Sequence, residues 1–140
     1  MLAYELVDRL PEGKTEELNV LRREITPRNK LLTPREWSEV AARSHLLVVI
    51  DGVRYVGMGV MSVSILPDPR SARISDVVLI PEYQRHGHGA DIIRKLMSVA
   101  AREGVSVIEF QQEIASPATR KLARTFGFRL NCKPTYSLSL

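Results

Sequence analysis

The sequence is sparing with residues that would assign it quickly to a class. It has one cysteine, Cys132, among 140 residues, so no internal disulfide can form and a reducing, cytoplasmic setting is expected. One tryptophan, three phenylalanines and four tyrosines make 6% aromatic residues. They do not interleave with the basic residues as a nucleic-acid surface would require, and no recognition helix is visible. No apolar run exceeds Leu46 to Ile50, against the roughly 20 residues needed to cross a bilayer. Met1 to Leu10 carries Glu5 and Asp8, where a secretion signal would be unbroken and apolar. There is no repeat, no low-complexity stretch, no Gly/Ser/Pro-rich linker and no long run of one charge sign. These absences exclude a disulfide scaffold and a disordered tail, and leave one soluble domain over residues 1–140 as the expectation.

What is present describes an ordinary globular chain, 44% hydrophobic and 26% charged. At this length folding buries roughly two-thirds of the surface the unfolded chain exposes, enough for one core. Twenty basic residues against sixteen acidic ones give a net charge of +4. Such an excess suits nucleic acid, an anionic lipid surface or a polyphosphate-bearing small molecule. Much of it is interleaved with acidic residues, as in Arg22, Arg23, Arg28, Lys30, Arg35 and Arg43 against Glu16, Glu17, Glu24, Glu36 and Glu39.

Periodicity orders the elements. Alternation of Leu2, Tyr4 and Leu6 predicts a first strand, and Leu18, Leu21, Arg22 and Ile25 fall at helical spacing. Thr33-Pro34-Arg35-Glu36 reads as a helix start with a capping box, and Trp37, Val40 and Ala41 form its buried stripe. Leu46 to Ile50 and Val53 to Ile65 predict a hairpin about Asp51-Gly52, and Ala72 to Ile80 a further strand. Beyond Pro81 helix and strand alternate: a helix from Gly89 to Arg102, a strand from Val105 to Gln111, a helix from Pro117 to Phe126, and closing strands that end in Tyr136 to Leu140. The order predicts an α/β layered protein with a mixed sheet. Gly57-Met58-Gly59, inside a strand pattern, predicts a bulge or a close-packing site.

The segment from Asp76 to Ala90 carries the chemistry. A hydrophobic strand runs through Pro81 into Gln84-Arg85-His86-Gly87-His88-Gly89-Ala90 and then into a helix with Ile92, Ile93, Leu96, Met97 and Ala100 as its apolar stripe. Such a junction offers free N–H groups and the positive helix end to an anion, with glycines permitting close approach. Ile92 stands where a dinucleotide fingerprint needs a small residue, and Gly89-Ala90-Asp91 lacks the Lys-Ser/Thr of a P-loop. His86 and His88 have no further metal ligands at suitable spacing, so no metal site is expected.

The remaining pattern, Gln84-x-x-Gly87-x-Gly89, resembles motif A of the GNAT superfamily of acyl-CoA-dependent N-acyltransferases. Ser116 to Phe128, ending Gly127-Phe128, is similar to motif B of the same family. The resemblance spans about residues 46–140. It implies a mixed, mostly antiparallel sheet flanked by about four helices, and transfer of an acetyl group from acetyl-CoA to an amine acceptor. It also implies that backbone amides of Arg85, His86, Gly87, His88, Gly89 and Ala90 hold the CoA pyrophosphate, with Gln84 in the same loop. Val78, Leu79 and Ile80 would line the pantetheine, with the Val78 amide as oxyanion donor. Ser116 and Thr119 would face the cofactor, with Arg85, Arg120, Lys121 and Arg124 near the outer phosphates. Asp76, Glu109 and Glu113 are candidate bases. Ala123 occupies the position where similar proteins carry a tyrosine acid, which leaves Ser116, Tyr136, Cys132 or water as proton donors; Ser116 is also read as a plain N-cap. Neither nucleic acid nor membrane is expected as a partner, and a homodimer is common among similar proteins.

Overall fold

The computed structural model describes residues 1–25, 30–65, 70–110, 121, 123–128 and 138. The chain runs β1 (Leu2–Val7), α1 (Thr15–Ile25), α2 (Pro34–Arg43), β2 (His45–Asp51), β3 (Arg54–Ser64), β4 (Ser71–Leu79), a 3₁₀ turn (Pro81–Tyr83), α3 (His88–Arg102) and β5 (Val107–Phe110). Residues 121 and 123–125 are helical as well. The strands lie in sequence order in one sheet. The first three pairings are antiparallel and β4 runs parallel to β5, so the mixed, mostly antiparallel sheet with about four helices is observed as expected.

The two faces of the sheet are covered by different helices. On one, the Tyr4 hydroxyl reaches His88 and Asp91 of α3. A Cβ placed on Gly59 would lie 2.5 Å from Ile92 Cγ2 and 3.1 Å from Leu96 Cδ1, so glycine is what lets α3 seat directly on β3. Ile92, Ile93, Leu96, Val99 and Ala100 are buried there. On the other face α1 packs against β3 and β4 with Leu18 and Leu21 fully buried. Trp37, 2% exposed, donates from Nε1 to Asn19 Oδ1 at 3.0 Å and joins α2 to α1, the core role expected of it. Asn19 also bonds both backbone groups of Leu32.

Helix α2 begins as its sequence dictates: Thr33 Oγ1 accepts the Glu36 amide at 3.1 Å and Glu36 Oε1 accepts the Thr33 amide at 3.0 Å. That second bond holds the Glu36 carboxyl below its ordinary range.

Several boundaries differ from the sequence reading. Asp51 pairs with Arg54, so the turn residues are Gly52 and Val53 rather than Asp51 and Gly52. The strand expected at Val105 starts at Val107, because the Val105 amide caps α3 on the Ala100 carbonyl. The fourth helix ends before Phe126, where the Gly127 amide bonds the Arg124 carbonyl at 2.9 Å and the Phe128 amide bonds Ala123 at 3.0 Å, the paired bonds of a Schellman closure. The closing strands fall outside the described residues.

Gly57-Met58-Gly59 combines both expected roles, since it lies between two register shifts. The first leaves Val56 extra on β3. In the second, Met58 pairs with Val78 but Val60 pairs with Ser75, which leaves an extra residue on β4. Asp76, at φ 55°, lies in that bulge.

Two stability outcomes follow. Gly59→Val should destabilise the protein by about 1–3 kcal/mol through overpacking against α3, read by urea unfolding. Thr33→Ala should cost about 1 kcal/mol at neutral pH. Because the folded Glu36 pKa is depressed, its contribution is present above the unfolded value and drains as pH falls through the folded one. Glu36→Gln, which removes the titrating carboxyl, should therefore show a flatter loss of stability on acidification than the wild type.

Candidate functional site

The candidate site lies where the pairing of β4 with β5 ends. In the described residues β5 accompanies β4 only from Ser71 to Ile74, the last pair being Ile74 with Phe110. The Asp76 bulge follows immediately. From there to Leu79 the strand remains paired to β3, while its other edge has no strand partner among the described residues. Asp76 and Arg85 are the two non-glycine residues of positive φ in the described chain, at 55° and 66°. Asp tolerates this region through local side-chain bonding, whereas Arg85 bears a cost of roughly 1–2 kcal/mol. Both outliers bracket the same strand end, as is common where backbone strain serves a site.

The bulge changes how β4 presents Asp76. Side-chain parity between Asp76 and Val78 holds only in a regular strand, and the extra residue breaks it. The register also fixes which backbone amides face the open edge. The Ile80 amide donates to the Val56 carbonyl at 3.0 Å, and strand alternation then turns the Val78 amide toward β3 as well. The Leu79 amide and carbonyl face the open edge, and the carbonyl accepts Gln84 Nε2 at 2.8 Å. Leu79 rather than Val78 therefore presents its N–H to the open edge, and Ile80 offers a buried side chain, 4% exposed, rather than a free N–H.

Beyond Ile80 the chain makes the 3₁₀ turn, with the Tyr83 amide on Ile80 and the Gln84 amide on Pro81. Gln84 closes this turn on β4, so the motif glutamine shapes the loop by its side chain. Arg85 and His86 are exposed. Gly87 is the N-cap of α3 at φ 84° with no side-chain cap, and no atom lies within 4 Å of a Cβ built there. Glycine is needed at this position for its backbone angle, since the surrounding space is open. Asp91 is the first residue of α3 to return a backbone bond, to the Gly87 carbonyl at 3.2 Å. The amides of His88, Gly89 and Ala90 precede the intrahelical ladder. They stand at the positive end of a 15-residue helix, an arrangement that binds phosphate.

Several side chains around this loop were given no site role from the sequence. Tyr83 donates its hydroxyl to Asp51 Oδ2; that bond first, then burial and the Asp51 charge, raises its pKa above the ordinary phenol value. Tyr4 lies 3.3 Å from both His88 Nδ1 and Asp91 Oδ2, and burial followed by the Asp91 charge raises its pKa too. Asp91 in turn bonds Arg94 at 2.8 Å. Separations of 32 and 84 residues leave no local signal for these pairs.

The other expected site residues are distributed unevenly. Glu109, on β5, faces Arg73 across the parallel pair with Nη2 to Oε2 at 3.3 Å. Arg124 and Lys121 are exposed and Ala123 is buried. Ser116, Thr119, Arg120, Glu113, Cys132 and Tyr136 lie outside the described residues. Among the described residues no three His, Cys, Asp or Glu side chains are grouped to hold a metal ion, and no helix is long and apolar enough to cross a membrane.

No curated protein matches the sequence. Three solved structures share its fold over nearly the whole length. An acetyltransferase from Trypanosoma brucei is 20% identical, with 100% of each chain covered and a TM-score of 0.77. An aminoglycoside 6'-N-acetyltransferase from Acinetobacter baumannii is 14% identical, covering 100% of this chain and 99% of that one at a TM-score of 0.77. An aminoglycoside N-acetyltransferase in complex with CoA is 10% identical, covering 99% and 95% at 0.78. The acetyltransferase (GNAT) family model matches residues 10–128, a span that includes the bulged strand, the Gln84 to Ala90 loop and the Gly127-Phe128 closure. With sequence and fold in agreement, the chain belongs to the GNAT acetyltransferase family.

Proposed function

We propose that the protein is an N-acetyltransferase that moves an acetyl group from acetyl-CoA directly to a primary amine of a small molecule or peptide. The observation that carries this reading is the loop from Arg85 to Ala90, a left-handed, side-chain-free N-cap that opens α3 beside a strand edge freed by a bulge. A CoA pyrophosphate matches the loop amides in charge and reach. Arg85, Lys121 and Arg124, all exposed, are available to its outer phosphates. The family's N-acetyltransferases include one solved with CoA, which supports the same cofactor here.

Acetyl-CoA supplies the acetyl group as a thioester. The roles left to the chain are to hold, polarise and move a proton. The open edge at Leu79 offers an amide to the thioester carbonyl, an oxyanion donor that needs no reorganisation. A protonated amine is not a nucleophile, and an ordinary lysine-type amine titrates near 10.4, so a base or water chain must take its proton. Asp76 in the β4 bulge and Glu109 beside Arg73 on β5 are the proposed bases among the described residues. Ser116 and Tyr136 remain the proposed proton donors to the departing thiolate, and Thr119 a proposed cofactor contact.

Ala123 supports a second reading. It stands at the family's tyrosine position and is 8% exposed, which favours a protein that binds acyl-CoA but transfers slowly. Thiol release from acetyl-CoA across a panel of amines separates the two. Turnover with at least one amine is expected, and CoA binding without thiol release across a broad panel would favour the binding protein. Gly87→Val should weaken CoA binding on the order of tenfold, because a β-branched residue is strained at φ 84°. Unchanged CoA affinity by calorimetry would overturn the assignment of the loop.

A further inference from the structure

The phosphate loop is short of support of its own. Residues 81–84 are closed by two local backbone bonds, 3.0 and 3.2 Å long, and by Gln84 on the adjoining strand. The next residue, Arg85, is strained at φ 66°. A strained conformation persists only when its surroundings over-determine it. Among the described residues, one hydrogen bond joins residues 81–87 to a distant segment, that from Tyr83 to Asp51.

Asp51 is a firm post for such a bond. It ends β2 with partners on both sides, Leu2 of β1 and Arg54 of β3. The hairpin beside it is tied to the start of α1 twice: Lys14, just before the helix, donates from Nζ to the Val53 carbonyl, and Glu17 Oε2 of the helix accepts the Tyr55 amide. The carboxylate is therefore fixed by the sheet and by α1, and the phenol transfers that fixity to the turn that aims the loop.

We propose that Tyr83 and Asp51 are positioning residues for the phosphate loop: their bond latches the 3₁₀ turn to the β2–β3 hairpin and holds the amides of residues 85–90 in the arrangement that grips CoA. Neither side chain needs to touch the cofactor. The latch rests on the CoA reading above and adds to it a determinant of affinity outside the motif. Because the Tyr83 pKa is raised, the phenol keeps its proton and remains the donor throughout the neutral range.

The test measures CoA binding by calorimetry on the full chain, with thermal unfolding recorded for every variant. Tyr83→Phe and Asp51→Ala should each weaken CoA binding on the order of tenfold, the loss expected for one hydrogen bond to a charged group. The double variant should bind no worse than the weaker single variant, because both remove the same bond. Asp51→Asn, which keeps an acceptor oxygen, should stay within about threefold of the wild type. Tyr83→Phe should unfold close to the wild-type midpoint while binding CoA less tightly, a separation that a general packing role would not produce. CoA affinity unchanged in Tyr83→Phe, additive losses in the double variant, or affinity loss matched by loss of fold would overturn the latch alone. Failure of the wild-type chain to bind CoA would overturn the cofactor reading beneath it.

Discussion

Helix α3 lies directly on the sheet because β3 carries no side chain at Gly59, and the placement of the site depends on that contact. Ile92 and Leu96 occupy the space a Cβ would claim, so the helix is set close to β3 and its N-terminus is fixed near the end of β4. An anion site made of backbone amides has no side-chain reach with which to correct a misplaced helix. Its precision must come from packing, and the burial of Ile92, Ile93, Leu96, Val99 and Ala100 supplies it.

A second constraint acts on β4, whose two ends meet different demands. Its first half sits between β3 and β5, while its second half turns one edge away from strand pairing in the described sheet. A bulge is the local means of changing from one arrangement to the other, and a left-handed Asp76 is its backbone signature. The same change decides which amides are spent on pairing and which face the open edge, so strand geometry sets the donors available before any side chain is considered. Strain recurs at Arg85, and the bond from Tyr83 to Asp51 lies where it can help to bear it.

Much of this was legible in the chain. The α2 cap was readable because Thr33, Pro34 and Glu36 act within one turn, and the stripe of α3 because its apolar residues recur at helical spacing. Motif A was readable because a phosphate loop needs glycine at fixed positions whatever surrounds it. The register shifts were not, since an extra residue in a strand leaves the apolar pattern of Val77 to Ile80 intact. Tyr4 and Asp51 gave no signal for the same reason: their partners, His88, Asp91 and Tyr83, become neighbours only after the sheet forms.

Local sequence thus determined the elements, their order, the capped start of α2 and the glycine-bearing loop that opens α3, because each rests on dihedral preference or on side chains a few residues apart. Tertiary structure decided that Leu79 rather than Val78 presents its amide to the open edge, that Gln84 serves the loop's shape, and that Gly59 seats α3. It also joined the loop to the β2–β3 hairpin through Asp51. Those outcomes depend on strand register and on contacts between distant segments, and both arise only when the sheet and its helices pack together.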